Sequence, residues 1–187
     1  MERKRCTWAK GNGNMIRYHD EEWGKPCHDD RKLFEFLLLE GFQAGLSWAC
    51  VLNKRENFRR ALDGFDPVII AQYGQEKIEA LLQDASIIRS RRKLEAVVGN
   101  AKVFLAIREE FGSFDAYLWS FTDGKTVRSR NVGAPVSSPL SDAVSKDLKK
   151  RGMKYVGTVI VYSYLQAVGV VDDHEAACFC ASENEEE

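Results

Sequence analysis

The sequence predicts an all-α protein, and three observations carry that prediction. Apolar positions recur at helical spacing over long runs, proline and short polar residues stand where helices begin, and no alternating apolar–polar run finds a partner. The elements follow in chain order. Asp29 or Asp30 starts a helix through Leu33, Leu37 and Glu40, because a short side-chain oxygen satisfies the free amides of a first turn. Asp66-Pro67 marks a second start, since proline needs no amide donor there. Residues 75–84, 91–111, 114–121, 141–151 and 158–168 follow as amphipathic or buried helices. The opening thirty residues and 122–139 read as loops. Val159-Ile160-Val161 carries strand-forming residues but has no partner run, and it is assigned to a helix.

A chain of 187 residues suffices for one sizeable domain, or two small lobes sharing a cleft. Its hydrophobic content of 44% and charged content of 29% fit a folded, soluble protein and exclude global disorder. The net charge of -1 hides a split. Residues 86–108 hold six bases and one acid, 125–154 hold eight bases and two acids, and 172–187 hold seven acids and no base. A basic middle and an acidic tail orient a field that suits a polyanionic partner. Residues 1–182 read as one domain and 183–187 as a solvated tail.

No apolar run follows the charged first residues, which argues against a secretory signal. The apolar stretch 155–171 is interrupted by polar residues and glycines, and reads as a core helix rather than a membrane span. Five cysteines in that context point to a reducing cytoplasm, where metal binding or burial is the better explanation than disulfides.

Two histidine–cysteine pairs stand out: Cys6 and His19 with twelve residues between them, and His174 and Cys178 at i, i+4. On a helical turn the second pair shares one face. Two thiolates and two imidazoles fill a tetrahedron around zinc and leave no place for an activated water, so such a site is structural. It would join segments separated by 154 residues. The same residues also read as ordinary buried cysteines and surface histidines, and His28 and Cys180 stand as alternative ligands. His19-Asp20-Glu21 with Pro26-Cys27 matches half of a zinc deaminase pattern, but position 30 is Asp where a second cysteine belongs.

Residues 33–39 read LFEFLLL, and Glu40 shares a face with Leu33 and Leu37. Its carboxylate either projects into the core, at a cost on the order of several kcal/mol or a shifted pKa, or reaches solvent from the last turn. Trp8, Tyr18, Trp23 and Trp48 fall in the same first 48 residues. Aromatic faces beside a carboxylate suit a flat cationic ring, through stacking, cation–π attraction and a hydrogen-bond acceptor. Trp119 reads as core. Further on, residues 83–89 break two helices and lead into Arg91, Arg92 and Lys93. Amides at a helix start with nearby cations can hold a phosphate without reading bases, although a solvated basic face has the same pattern.

Taken in order, Cys6-Thr7-Trp8, YHDEEWG at 18–24, LEGFQAGLSW at 39–48, KRENF at 54–58, residues 83–89 and 143–152, Val156-Gly157-Thr158 and Asp173-His174 form a specific pattern. Through it the chain, from about Cys6 to Cys178, resembles the DNA-3-methyladenine glycosylase I family of the helix-hairpin-helix glycosylase superfamily. The resemblance implies two helical lobes with a base pocket in the cleft, and one structural zinc held by Cys6, His19, His174 and Cys178. It implies that Glu40, Tyr18 and Trp48 contact the flipped 3-methyladenine, with Trp8 and Trp23 lining the pocket and Ser163 near it. Gln43, Gly45 and Leu46 would wedge into the duplex, Leu46 as the apolar plug, while residues 84–93, including Ser86, Arg89 and Arg91, would grip phosphate.

The implied reaction flips the damaged base and removes it hydrolytically, leaving an abasic site. No lysine nucleophile is evident, so no strand-cleaving step is expected. The implied partner is alkylated double-stranded DNA, met by a cytoplasmic monomer that joins the nucleoid when bound and has no membrane association. A zinc-clipped module that binds damaged DNA without excision is the competing reading. Two positions depart from the family pattern. Ser86 stands where glycine is common, which would strain or reshape the phosphate grip, and Met15 stands at the pocket rim where tyrosine is common. Asp115 does not match the aspartate that many superfamily relatives place near the sugar.

Overall fold

Helix α1 (Gly13–Glu21) forms inside the opening stretch that the sequence assigns to loop. Its start carries Gly13 and Asn14 and few apolar residues, so local propensity is weak; Tyr18 and His19, both buried, hold it by tertiary packing. The computed structural model describes residues 3–11, 13–128 and 135–183, with backbone only at 182 and 183; the expected tail 183–187 otherwise lies outside the described residues.

Helix α2 (Asp30–Gln43) settles the choice between two aspartates. Asp29 is its cap, accepting the Lys32 amide at 2.8 Å. Asp30 instead takes the amides of Phe114 and Asp115, at 3.2 and 2.8 Å, and so anchors a helix far along the chain. Residues 33–40 are all buried, which explains an apolar run with no polar face. Two short helices follow, α3 (Trp48–Leu52) and α4 (Arg55–Ala61), then a 3-10 turn at Asp63–Phe65. Asp66 caps α5 (Pro67–Ile70) through the Val68 amide at 2.9 Å.

The later helices keep close to their expected bounds: α6 (Gln75–Gln83), α7 (Arg91–Phe111), α8 (Phe114–Ser120), α9 (Pro139–Lys150) and α10 (Thr158–Ala167). Helix α9 begins ahead of residue 141 because Ser138 and Ser141 form a reciprocal capping box with Pro139 at the first position. A final short helix, α11, spans Phe179–Glu183. The all-α expectation is corrected in one detail. Val127–Arg128 (β1) and Val171–Asp172 (β2) pair in parallel, two residues each, within and beyond stretches read as loop. Runs this short carry no periodicity to read.

Helix α2 is the hub, packed against α3, α7, α8 and α10; α7 carries α5, α6 and α8, and α10 carries α9. The two distant ends of the described chain meet. Phe179 donates its amide to the Lys4 carbonyl at 2.9 Å, and Glu175 accepts both the amide and the hydroxyl of Thr7, at 2.7 and 2.6 Å. No helix among the described residues is long and apolar enough to cross a membrane.

Candidate active site and metal centre

Adjacent residues of α1 serve two different sites. Tyr18 faces α2 and α3, its ring 6.0 Å from Phe36 and 5.3 Å from Trp48. Trp8 closes the group from the N-terminal side, tilted 6.2 Å from Tyr18 and edge-on to Trp23 at 4.9 Å. The Ser47 hydroxyl caps α3 by accepting the Cys50 amide at 3.3 Å, which fixes Trp48 as the first helical residue. Glu40, in the last turn of α2, is only 2% exposed, so of its two sequence readings the core is correct. Its Oε2 has no hydrogen-bond partner, and burial pushes its carboxyl up to about 8. The Trp48 Nε1 is likewise buried without a partner. Tyr18 links them: burial and the Glu40 charge raise its hydroxyl pKa, while its ring lies beside Trp48. An acceptor and a donor with unused capacity, among aromatic rings, are what a flat heterocycle with polar edges would meet.

His19 turns the other way. His19, His174, Cys178 and Cys180 bring one ligand atom each within 4.8 Å of one another, all four buried. The sequence read His174 and Cys178 as one helical face; they sit on a turn instead, closed by the Cys178 amide to the Glu175 carbonyl at 2.7 Å. Cys180, which stood as an alternative ligand, is in this tightest group. Cys6 is buried beside it, receiving the Glu175 amide on Sγ at 3.4 Å and donating its own amide toward His19 Nε2 at 3.4 Å. His28, the other alternative, is elsewhere, bonded to Asp115 at 2.7 Å and stacked on Trp119.

Both ring orientations in this group are fixed from outside. His19 Nδ1 pairs with Asp20 at 2.8 Å, and His174 Nδ1 with Asp172 at 2.7 Å, leaving His174 Nε2 buried and unpartnered. Carboxylates on the outer nitrogens are the usual support of metal-bound imidazoles. Burial pushes the Cys6 and Cys180 thiols up to about 12, a penalty that a bound cation reverses. The buried His2Cys2 group could therefore hold a metal ion.

The loop after α2 turns at Gly45, whose φ of +82° favours glycine, with the Leu46 amide on the Gln43 carbonyl at 2.6 Å. Leu46 is 42% exposed, an apolar tip on this loop. Between α6 and α7, Ser86 keeps a negative φ, so the backbone strain expected from replacing glycine does not arise. Its amide donates to Asp84 Oδ1 at 2.8 Å, and its carbonyl accepts Lys54 Nζ at 3.0 Å and Asn57 Nδ2 at 3.1 Å. Arg89 is exposed, whereas Arg91 pairs with both carboxylate oxygens of Glu79 at 2.8 Å. Ser163 is half-buried on α10, its hydroxyl donating to the Val159 carbonyl at 3.3 Å. Met15 packs on the core from a partly buried position.

Sequence reasoning missed the groups that hold these parts in place. Asp20 and Asp172 orient the histidines, Arg55 bridges Glu22 and Glu35 at 2.7 and 2.6 Å, and Lys93 reaches back to α2. Nearness in sequence, Asp20 next to His19 and Asp172 two residues before His174, was the one available signal for the two aspartates. A separate groove of about 460 Å³, lined by Arg92, Glu95, Lys149, Lys154 and Tyr155 among others, contains none of the aromatic-pocket residues.

The geometry has counterparts among known proteins. Residues 8–181 match the model of the methyladenine glycosylase family. DNA-3-methyladenine glycosylase 1 of Escherichia coli (strain K12) is 47% identical over 180 residues, covering 95% of this chain and 96% of that protein. A crystal structure of 3-methyladenine DNA glycosylase I superposes with a TM-score of 0.91 at 49% identity, covering 95% of this chain and 99% of the other. A variant of a 3-methyladenine DNA glycosylase I, solved in complex with 3-methyladenine, superposes at 0.90 with 35% identity, covering 94% and 96%.

Proposed function

Because the chain belongs to the methyladenine glycosylase family, we propose that the pocket of Trp8, Tyr18, Trp23, Glu40 and Trp48 receives a 3-methyladenine flipped out of DNA. The protein hydrolyses the N-glycosyl bond of that base, an excision step of DNA repair. The observation that carries this assignment is the pair of unpartnered buried atoms, Glu40 Oε2 and Trp48 Nε1, beside the ring of Tyr18.

Methylation at N3 makes adenine cationic and weakens its bond to the sugar, so the base departs neutral and the enzyme supplies mainly selection and positioning. In the free protein Glu40 keeps its proton up to about 8. A cationic base alongside stabilises the carboxylate, whereas neutral adenine leaves it uncompensated in a buried site. The lesion's charge therefore completes the site that recognises it. Tyr18 and Trp48 hold the ring, Trp8 and Trp23 form the outer wall, and Ser163 lies at the rim. Water attacks the sugar C1′, releasing the base and leaving an abasic site.

Gln43, Gly45 and Leu46 fill the gap in the duplex, and Ser86, Arg89 and Arg91 meet phosphate. Arg91 does so by sharing or leaving Glu79. The helices around α7 and the α9–α10 pair act as the two lobes, with α2 between them. The metal is zinc, held by His19, His174 and Cys178 with Cys6 or Cys180 as the fourth ligand. Such a donor set suits zinc, and four protein ligands make the ion structural. It ties α1, through His19, to residues 174–180 and so braces the wall of Trp8 and Trp23, the latter 4.6 Å from the His174 ring. The protein works as a cytoplasmic monomer on alkylated duplex DNA.

Purified protein incubated with methylated duplex DNA should release 3-methyladenine, measured chromatographically, with little release by Glu40→Ala. DNA binding without release would replace this reading with that of a binding module.

A further inference from the structure

We propose that Lys93 is a positioning residue that couples the phosphate-gripping hairpin to the loop entering the duplex; this rests on the DNA-excision reading above. Lys93 stands in the first turn of α7, where a helix end carries partial positive charge and a third cation after Arg91 and Arg92 is unfavourable. Its side chain does not serve that helix. The ammonium crosses to the end of α2 and donates to the carbonyls of Phe42, at 2.8 Å, and Ala44, at 2.6 Å. These sit at the negative end of α2, where the terminal carbonyls lack helical partners. Burial lowers the Lys93 pKa, and both of these hydrogen bonds go to main-chain carbonyls, so Lys93 works on backbone.

Further contacts reinforce the connection. Lys54 and Asn57, at the start of α4 beyond that loop and α3, both donate to the Ser86 carbonyl of the hairpin. The Asn100 side chain exchanges two hydrogen bonds with the backbone of Lys154, at 2.9 and 2.8 Å. Next in the chain, Tyr155 packs where Gly41 has no Cβ, 3.4 Å from the position a Cβ would take, and the Lys93 ammonium lies 5.9 Å from its ring. Residues 43–53 are thus held to the hairpin at both ends, by Lys93 before Leu46 and by Lys54 and Asn57 after it. Gripping the phosphate fixes where Leu46 enters the duplex.

The test compares wild type, Lys93→Met and Lys93→Arg on duplexes with 3-methyladenine opposite thymine or opposite cytosine. Free 3-methyladenine binding is followed by tryptophan fluorescence, and melting temperature is recorded for each. A mispaired base is easier to extrude, so it depends less on the plug. Lys93→Met should lower single-turnover excision opposite thymine by about tenfold to a hundredfold, the scale of an ångström-level misplacement. The loss opposite cytosine should be clearly smaller, free-base binding unchanged, and Lys93→Arg should recover much of the rate. An equal loss on both duplexes, a loss of free-base binding, or no loss at all would overturn the assignment. Absence of release by the wild type itself would instead overturn the excision reading on which it rests.

Discussion

His174 pairs Nδ1 with Asp172 across 2.7 Å, and that contact leaves its other ring nitrogen buried and unpartnered beside the thiols of Cys178 and Cys180. An imidazole whose outer nitrogen is held by a carboxylate presents its inner nitrogen to a metal. The purified protein should contain one zinc per chain by elemental analysis. Asp172→Asn should weaken zinc about 10- to 100-fold in competition with a chromogenic chelator. Protein refolded with zinc that still binds none would exclude the site.

Glu40 links function to pH. Its folded-state pKa, about 8, lies above its ordinary 4.5, so the folded protein holds a proton that the unfolded chain releases first. The stability contributed is full below pH 4.5 and is lost progressively as pH rises towards 8, on the order of 5 kcal/mol in all. Glu40→Gln should therefore flatten the fall in stability between those limits, read by denaturant unfolding at a series of pH values. With the ionised carboxylate as the working acceptor, kcat/KM of the wild type should rise with pH towards a plateau above 8. The variant should lose that rise and about 10²-fold or more of the rate.

Gly24 has a φ of +75°, and a Cβ there would lie 2.5 Å from His174 Cε1. The left-handed backbone alone costs a side chain about 1–2 kcal/mol. The ring cannot move aside without leaving Asp172. Gly24→Ala should lower the melting temperature by about 2–8 °C and weaken zinc binding with it. An unchanged melting curve would show that the ring is free to yield.

Arg55 is buried between Glu35 and Glu22, with its guanidinium 4.7 Å over the Phe36 ring. Removing one member leaves charge stranded away from water. Glu35→Ala should destabilise the protein by about 3–5 kcal/mol, measured by urea unfolding. A loss below about 1 kcal/mol would mean that Glu22 and solvent satisfy Arg55 unaided.

The sequence made the long helices legible because their apolar spacing and start signals are local. Asp66-Pro67 and the span Arg91–Phe111 needed no tertiary information. Helix α1 was not legible, because Tyr18 and His19 hold it through contacts with α3 and the buried His/Cys cluster. The paired strands were invisible for another reason: the residues joined, Val127 and Val171, have nothing local that announces the pairing. Glu40 and the aromatic residues could be named from composition and pattern, but only packing shows that the carboxylate is enclosed. Which thiol joins two imidazoles depends on a turn at 175–178 that i, i+4 spacing misread as helix. Lys93 looked like one more charge in a basic run, since its partners are backbone carbonyls some fifty positions earlier.

The meeting of residues 3–11 with 172–180 has a consequence in time. On a ribosome, α1 to α8 can leave the exit tunnel and pack before residues 172–180 exist. Until those arrive, His19 lacks its companions, Glu175 is not there to hold Thr7, and Trp23 has no His174 to rest against. The wall of Trp8 and Trp23 is consequently among the last parts to be completed. On the excision reading proposed above, a nascent or prematurely ended chain would carry the loop at Leu46 and the 84–93 hairpin without the completed aromatic wall.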